Sequence, residues 1–169
     1  YTIGTTGADY STFNAAVSDL ENRGLCGPVV INVLEGTYLE QVQLGEVPNS
    51  SSVNTITFQA APTNSGEAVL TYMPNSSAGN YVINLNNASY VTLRGLVVMN
   101  NSAQSYGKVV LVDGNSHDIA LDSNEFWGTL SYSSSTNYVV VDCQSDKQVS
   151  NISITNNLIK YGSYGVRFD

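Results

Sequence analysis

Three aspartates recur along this chain at matching places in a repeated pattern. Asp113, Asp142 and Asp169 each follow a short apolar segment, and Asn86 takes the same place one repeat earlier. If these segments stack as parallel strands, equivalent side chains lie about 4.8 Å apart. Carboxylates this close repel each other unless a cation intervenes, and Ca²⁺ binds several such oxygens. We therefore predict a calcium site at these four residues. A solvated acidic edge is the alternative.

Aromatic residues form a second candidate site. Trp127, Tyr132 and Tyr106 fall at predicted strand ends or in loops. A flat ring in such a place can stack on a sugar ring, and loops on a repeat protein commonly carry its function. We expect these residues to bind a glycan or polysaccharide. Packing of the loop onto the body of the protein is the alternative.

Other chemical patterns are weak. His117 is the single histidine, which makes a poor transition-metal site. The sequence contains no recognisable Ser-His-Asp arrangement, glycine-rich phosphate loop or zinc spacing. Cys26 and Cys143 lie four repeats apart, or roughly 19 Å, whereas a disulfide requires Cα atoms within about 7 Å. We expect both thiols to be free.

Composition restricts the partners of the chain. The formal net charge of −8 disfavours nucleic acids and anionic membranes. No apolar segment reaches the roughly 18 residues of a membrane span. Charged residues make up only 12% of the chain, and Ser, Thr, Asn, Gly and Tyr are abundant, which is typical of a secreted or surface-exposed β protein. The length of 169 residues predicts one domain.

The elements that would position these residues are short strands in a regular repeat. Side chains alternate with period two along a strand, so apolar pairs two residues apart mark its inner face. Such pairs recur about every 25–29 residues, which predicts stacked turns of a solenoid. The pairs are Ile31/Val33, Ile56/Phe58, Ile83/Leu85, Val110/Val112, Val139/Val141 and Val166/Phe168.

A second column of pairs supports the first. Its members are Val91/Leu93, Ile119/Leu121 and Ile152/Ile154, and they continue at Leu96/Val98, Asn124/Phe126 and Asn157/Ile159. This spacing indicates two strands that meet at a bend. An Asn at such a bend can exchange side-chain hydrogen bonds with the Asn of the next turn.

The two ends of the repeat differ. Residues 11–23 predict an amphipathic helix that caps the first rung, with Ser11 as N-cap and an apolar stripe of Phe13, Ala16, Val17 and Leu20. Loops are expected at 45–54, 61–67 and 129–137. No capping element follows the last apolar pair, which ends at Phe168, so we expect the solenoid to continue in a longer chain. The alternative is end-to-end stacking on another chain.

This repeat resembles the right-handed parallel β-helix of the pectin-lyase-like superfamily. The resemblance covers roughly residues 9–169 and implies an all-β solenoid of about six rungs over 29–169, in a single domain over 1–169. Its N-terminal half resembles pectinesterases in the segments DYSTFNAAV, GTYLEQV, NTITFQA, LRGLVVMNNSAQ and FWGTLSY.

The pectinesterase resemblance carries no catalytic residue to this chain. Lys108 stands where that family has its catalytic glutamine, and the family's Gln-Asp pair is missing at 128–130. The segment LCGPVVINV resembles β-helix modules of large bacterial surface proteins. The expected function is therefore a non-catalytic, extracellular or cell-surface module for adhesion or carbohydrate binding. The alternative is the N-terminal part of a polysaccharide lyase, esterase or hydrolase with its groove in later rungs.

Overall fold

A computed structural model describes residues 1–102, 105–144 and 148–169 of the chain. The last two residues of the segment LRGLVVMNNSAQ therefore lie outside the described residues. In chain order the elements are β1 (Thr2–Ile3), α1 (Phe13–Arg23), β2 (Val29–Val33), β3 (Gly36–Leu39), β4 (Val42–Leu44), β5 (Ile56–Ala60), β6 (Ala68–Tyr72), β7 (Ile83–Asn86), β8 (Ser89–Arg94), β9 (Val97–Asn100), β10 (Val110–Asp113), β11 (His117–Asp122), β12 (Glu125–Trp127), a 3-10 turn (Thr136–Tyr138), β13 (Val139–Cys143), β14 (Ser150–Thr155), β15 (Leu158–Lys160) and β16 (Tyr164–Phe168).

The strands form three parallel sheets, and three successive strands complete one coil. The first sheet has the order β1-β2-β5-β8-β11-β14, the second β3-β6-β9-β12-β15 and the third β4-β7-β10-β13-β16. The described residues thus contain five full coils, and β1 adds a sixth strand to the first sheet only. The predicted all-β fold, a right-handed parallel β-helix, is confirmed.

The first ladder of apolar pairs is divided between two sheets. Its first two pairs lie on β2 and β5 of the first sheet, whereas the other four lie in the third sheet. The expected register is also shifted, because Ile31 faces Phe58 and Val110 faces Val141. A shift of two residues keeps every side chain on the same face, so alternation alone cannot detect it.

The structure confirms the second column of apolar pairs and the predicted register between its strands. Ile119 lies between Val91 and Ile152, and the Asn bend follows as predicted. Asn124 is 1% exposed. Its Oδ1 accepts the Leu96 N–H at 3.0 Å, and its side-chain amide donates to the Leu93 carbonyl at 2.9 Å. The same amide donates to Asn157 Oδ1 at 3.1 Å, which ties one coil to the next.

The helix α1 begins one residue later than predicted. Thr12, not Ser11, is the N-cap, because its extended backbone lets its hydroxyl accept the Ala15 N–H at 3.0 Å. The Glu40 carboxylate accepts two further N–H groups of the first turn. The helix buries the four apolar residues of the predicted stripe in the same core as the first coils. Among the residues that the structure describes, no helix has the length and hydrophobicity needed to cross a lipid bilayer.

The buried Asn bend should contribute strongly to stability. Asn124→Ala leaves the Leu96 N–H and the Leu93 carbonyl without their side-chain partner in the core. We expect the free energy of unfolding, measured by urea titration, to fall by about 2–4 kcal/mol, since each buried group left unpaired costs about 1–3 kcal/mol. Asn22→Ala, the same change at an exposed helix position, should alter it by less than about 0.5 kcal/mol. Equal effects would contradict the structural role of Asn124.

Candidate functional site

Trp127 lies on the outer face of the second sheet. Its neighbour Phe126 is fully buried, so alternation along β12 directs Trp127 away from the core. In the register it lies between Met99 of the preceding coil and Lys160 of the following coil. A cleft of about 400 Å³ opens here, where the second sheet turns towards the third. It is lined by Met99, Asn100, Asn101, Ser102, Trp127, Gly128, Thr129, Leu130 and Tyr161.

The aromatic wall of this cleft is held in place by several contacts. The Trp127 indole N–H donates to Glu125 Oε2 at 3.1 Å, and Lys160 Nζ lies 3.6 Å from the same oxygen. Lys160 Nζ also lies 4.0 Å from the centroid of the indole, a cation–π distance. Tyr161 contacts Trp127 edge-on, with the ring centroids 6.2 Å apart. Tyr161 is nevertheless 54% exposed, and Leu130 is 69% exposed.

The polar floor of the cleft is rigid. The Asn100 side-chain amide donates to the carbonyls of Tyr106 and Lys108, at 3.3 and 2.9 Å. Its Oδ1 accepts the Ser102 N–H at 2.8 Å, and Thr129 Oγ1 donates to the Ser102 carbonyl at 2.8 Å. These bonds hold the chain segments after β9 and β12 together. The polar groups of the floor are therefore positioned by hydrogen bonds within the chain.

The structure brings only one of the three predicted aromatic residues to this cleft. Tyr132 is 101% exposed and does not line it. Tyr106 is half-buried and is not among the residues that line the cleft, and its backbone carbonyl accepts a hydrogen bond from the Asn100 side chain. Tyr161 takes their place beside Trp127. The second column contained the signal for it, because the pairing of Ile159 with Phe126 puts Tyr161 next to Gly128.

The predicted acidic column is not formed. Asp113 faces Asn86 as expected, but Asp142 faces Leu111 and Arg167. The reason is a two-residue shift in register between β10 and β13, and a second such shift between β13 and β16 separates Asp142 from Asp169. Among the described residues, no group of three or more His, Cys, Asp or Glu side chains is close enough to hold a metal ion. The carboxylates of the described residues are therefore not stacked as the calcium prediction assumed, and calcium binding itself stays a prediction.

Asp142 instead forms the centre of a buried ion cluster. It is 0% exposed, although it lies on the outer side of β13. Arg167 donates to it through Nε at 2.8 Å and Nη2 at 3.3 Å, and Lys108 Nζ pairs with Oδ2. The hydrogen bond that Arg167 donates to Asp142 raises the pKa of the Arg167 guanidinium. Lys108, which takes the place of the pectinesterase glutamine, is thus used in an internal ion pair.

Solved pectin methylesterases share this fold. The enzyme from Aspergillus niger, in its deglycosylated form, matches with a TM-score of 0.60 and 13% identity over 94% of this chain and 56% of the enzyme. A pectin methylesterase mutant in complex with a hexasaccharide matches with a TM-score of 0.58 and 14% identity, over 90% of this chain and 48% of that one. The chain spans about half the length of these enzymes.

At this level of identity the similarity establishes the fold alone, which is the pectin-lyase-like parallel β-helix predicted from the repeat. Neither a protein-family model nor a curated protein sequence matches the chain.

The buried ion cluster predicts a large effect of one substitution. Asp142→Asn leaves Lys108 and Arg167 close together without their buried carboxylate. We expect the free energy of unfolding to fall by about 3–5 kcal/mol in urea titrations. Asp169→Asn removes only the exposed partner of Arg167 and should cost at most about 1 kcal/mol. If both variants lost the same amount, Asp142 would not be the buried centre of the cluster.

The two cysteines should differ in reactivity. Cys26 is exposed, whereas Cys143 is buried, and burial, with a smaller effect of Asp142, raises the pKa of the Cys143 thiol to about 12. The Cys143 thiolate, which is the reactive form of this side chain, is therefore scarce at neutral pH. We expect a thiol reagent such as DTNB to modify one cysteine in the native protein and two in denaturant. Rapid modification of both thiols in the native wild-type protein would contradict the burial of Cys143. Rapid modification of any thiol in the native Cys26→Ser variant would contradict it too.

Proposed function

We propose that the chain is a non-catalytic, extracellular or cell-surface module that binds a polysaccharide in the cleft of Trp127 and Tyr161. The observation that carries the proposal is this pair of fixed, solvent-accessible rings over a rigid polar floor. Ligand sites are concave, largely preformed and lined by apolar and aromatic groups with a few placed polar atoms. The cleft has each of these properties, and its volume lies within the range of small-ligand sites.

The shape of the sheet favours an extended ligand. The outer face of the second sheet carries one column of residues in register, from Leu39 through Thr71, Met99 and Trp127 to Lys160. At about 4.8 Å per coil this column extends roughly 19 Å along the axis. Leu39 at its far end is exposed and Met99 and Trp127 are partly exposed, whereas Thr71 between Leu39 and Met99 is buried. A linear polymer lying along the axis would contact several coils at once.

The groups in the cleft favour binding over catalysis. Acid–base catalysis requires a titratable group within hydrogen-bond reach of the reacting atoms. Of the described residues that line the cleft, none is a carboxylate, histidine, lysine or cysteine. The nearby Asp142 is fully buried and already neutralised by two cations. The similarity of fold to pectin methylesterases, one of them solved with a hexasaccharide, supports a polysaccharide as the class of ligand.

The proposal predicts a clear difference between exposed aromatic residues. Trp127→Ala and Tyr161→Ala should each weaken polysaccharide binding at least about tenfold, because buried aromatic anchors contribute most of such affinity. Tyr132→Ala, which removes a fully exposed ring outside the cleft, is the matched control and should bind like the wild type. Binding is measured by affinity electrophoresis and calorimetry against a panel of neutral and uronate polymers.

Two results would overturn the proposal. Unchanged binding by Trp127→Ala would remove this cleft from the interaction. Turnover of any polymer by the isolated chain, with or without calcium, would show a catalytic role and support the alternative of a polysaccharide-active enzyme.

A further inference from the structure

Backbone conformation distinguishes two tyrosines from the rest of the chain. In the described part, six of the non-glycine residues with positive φ are Asn, Asp or Ser, which adopt this conformation more readily than bulky residues. The other two are Tyr90, with φ 57°, and Tyr161, with φ 65°. Each lines a cleft of about 400 Å³, Tyr161 the one beside Trp127 and Tyr90 a separate one. Strained residues of this kind concentrate at functional sites.

The register shows that Tyr90 is an exception at its own position. Tyr90, Asp118 and Asn151 occupy the same place in three successive coils, and all three have positive φ. The backbone therefore requires this conformation in each coil. Two coils supply residues that suit it, whereas the third places a bulky ring there. The ring is retained against the local backbone preference, which points to a role for the side chain itself.

The cleft at Tyr90 arises from unequal connections at one corner of the solenoid. Residues 45–55 connect β4 to β5, whereas 87–88 and 114–116 make the same connection in the next two coils. The long connection is fixed, since Val47 is buried and the Pro48 carbonyl accepts the Leu25 N–H at 2.9 Å. Ser50 Oγ and Ser89 Oγ lie 2.8 Å apart and join the connection to the next coil. The cleft beneath it is therefore preformed.

The walls of this cleft carry free polar groups around an aromatic ring. His117 packs edge-on against Tyr90 with the centroids 5.3 Å apart, and its Nδ1 donates to Asp118 Oδ2 at 2.7 Å. The side chains of Glu46, Asn49 and Asn115 also line the cleft. In the described part of the chain, no hydrogen bond occupies any of these three side chains.

The charges of the cleft select against anions. Among the described residues that line it there is no lysine or arginine, and Glu46 contributes a carboxylate. Amides, hydroxyls and an imidazole nitrogen beside a tyrosine ring match the hydroxyl groups and the apolar face of a neutral sugar. A uronate would meet the Glu46 carboxylate without a lysine or arginine in the described lining to compensate its charge.

A serine-hydrolase site is not formed at this corner. Ser89 and His117 are neighbours in register, but Ser89 Oγ is bonded to Ser50 Oγ. Among the described contacts no hydrogen bond joins Ser89 to the imidazole, so the pairing of nucleophile and base that such chemistry requires is missing.

We infer that the Tyr90 cleft is a second saccharide-binding site, specific for neutral sugars and separate from the cleft at Trp127. This inference rests on the proposed function only in taking a saccharide as the class of ligand. Two sites on one chain make each molecule bivalent, so a single polysaccharide that engages both sites is held more tightly than by either site alone.

The test is an NMR titration of the ¹⁵N-labelled chain with cellohexaose, xylohexaose, mannohexaose and hexagalacturonate, each up to about 10 mM, which detects weak affinities. At least one neutral hexasaccharide should shift the amide signals of 87–90 and 115–118, in the wild type and equally in Trp127→Ala. Tyr90→Asn should abolish these shifts and yet raise the unfolding temperature by about 2–4 °C, because Asn relieves the backbone strain. Tyr90→Phe keeps the ring and should retain most of the shifts.

The outcomes separate the two sites. If no neutral hexasaccharide shifts these amides, or if Tyr90→Asn binds as well as the wild type, the second site does not exist, whatever happens at Trp127. Shifts here that disappear in Trp127→Ala would also overturn it, since they would belong to the other cleft. Shifts here with an unresponsive Trp127 cleft would support this inference and contradict the proposed function.

Discussion

The parallel hydrogen-bond register between coils is the constraint on which the rest of this structure depends. It decides which side chains stack in the core and, because side chains alternate with period two, which ones meet on the outside. Phe126 enters the core between Val98 and Ile159, and the same pairing puts Trp127 between Met99 and Lys160. Core and binding surface are thus two results of one alignment.

The register also explains how far the sequence could predict the molecule. The alternation of apolar and polar residues identified the inner faces of the strands and the repeating coil. It could do so because this alternation depends on residue type alone. In the second column, Asn124 and Asn157 marked the bend, and an Asn at the same place in two successive coils determines their alignment as well as the face. The third sheet has no such marker around Val139 and Val141. Alternation therefore puts Asp142 and Asp169 each two residues out of register with the preceding coil, on the correct face but beside the wrong neighbours.

The outer faces of the second and third sheets differ because of what their side chains meet. Asp142 on the third sheet lies between two cations of the chain and is removed from solvent. A buried carboxylate is stable only when paired in this way, so its oxygens are occupied within the protein. On the second sheet the outward residues Met99 and Trp127 are only partly covered. This face therefore has surface left for a ligand, whereas the face at Asp142 does not.

The same stacking allows backbone strain to persist at Tyr90. The strand β8 pairs with β5 on one side and with β11 on the other, and both neighbours fix its path. A conformation that an isolated strand would abandon is held by hydrogen bonds on both sides. A solenoid can therefore place a bulky ring at a corner where one connection is long, while Asp118 and Asn151 satisfy the same backbone in the next coils. Unequal connections open the cleft, and the regular coils beside it hold the strained side chain in place.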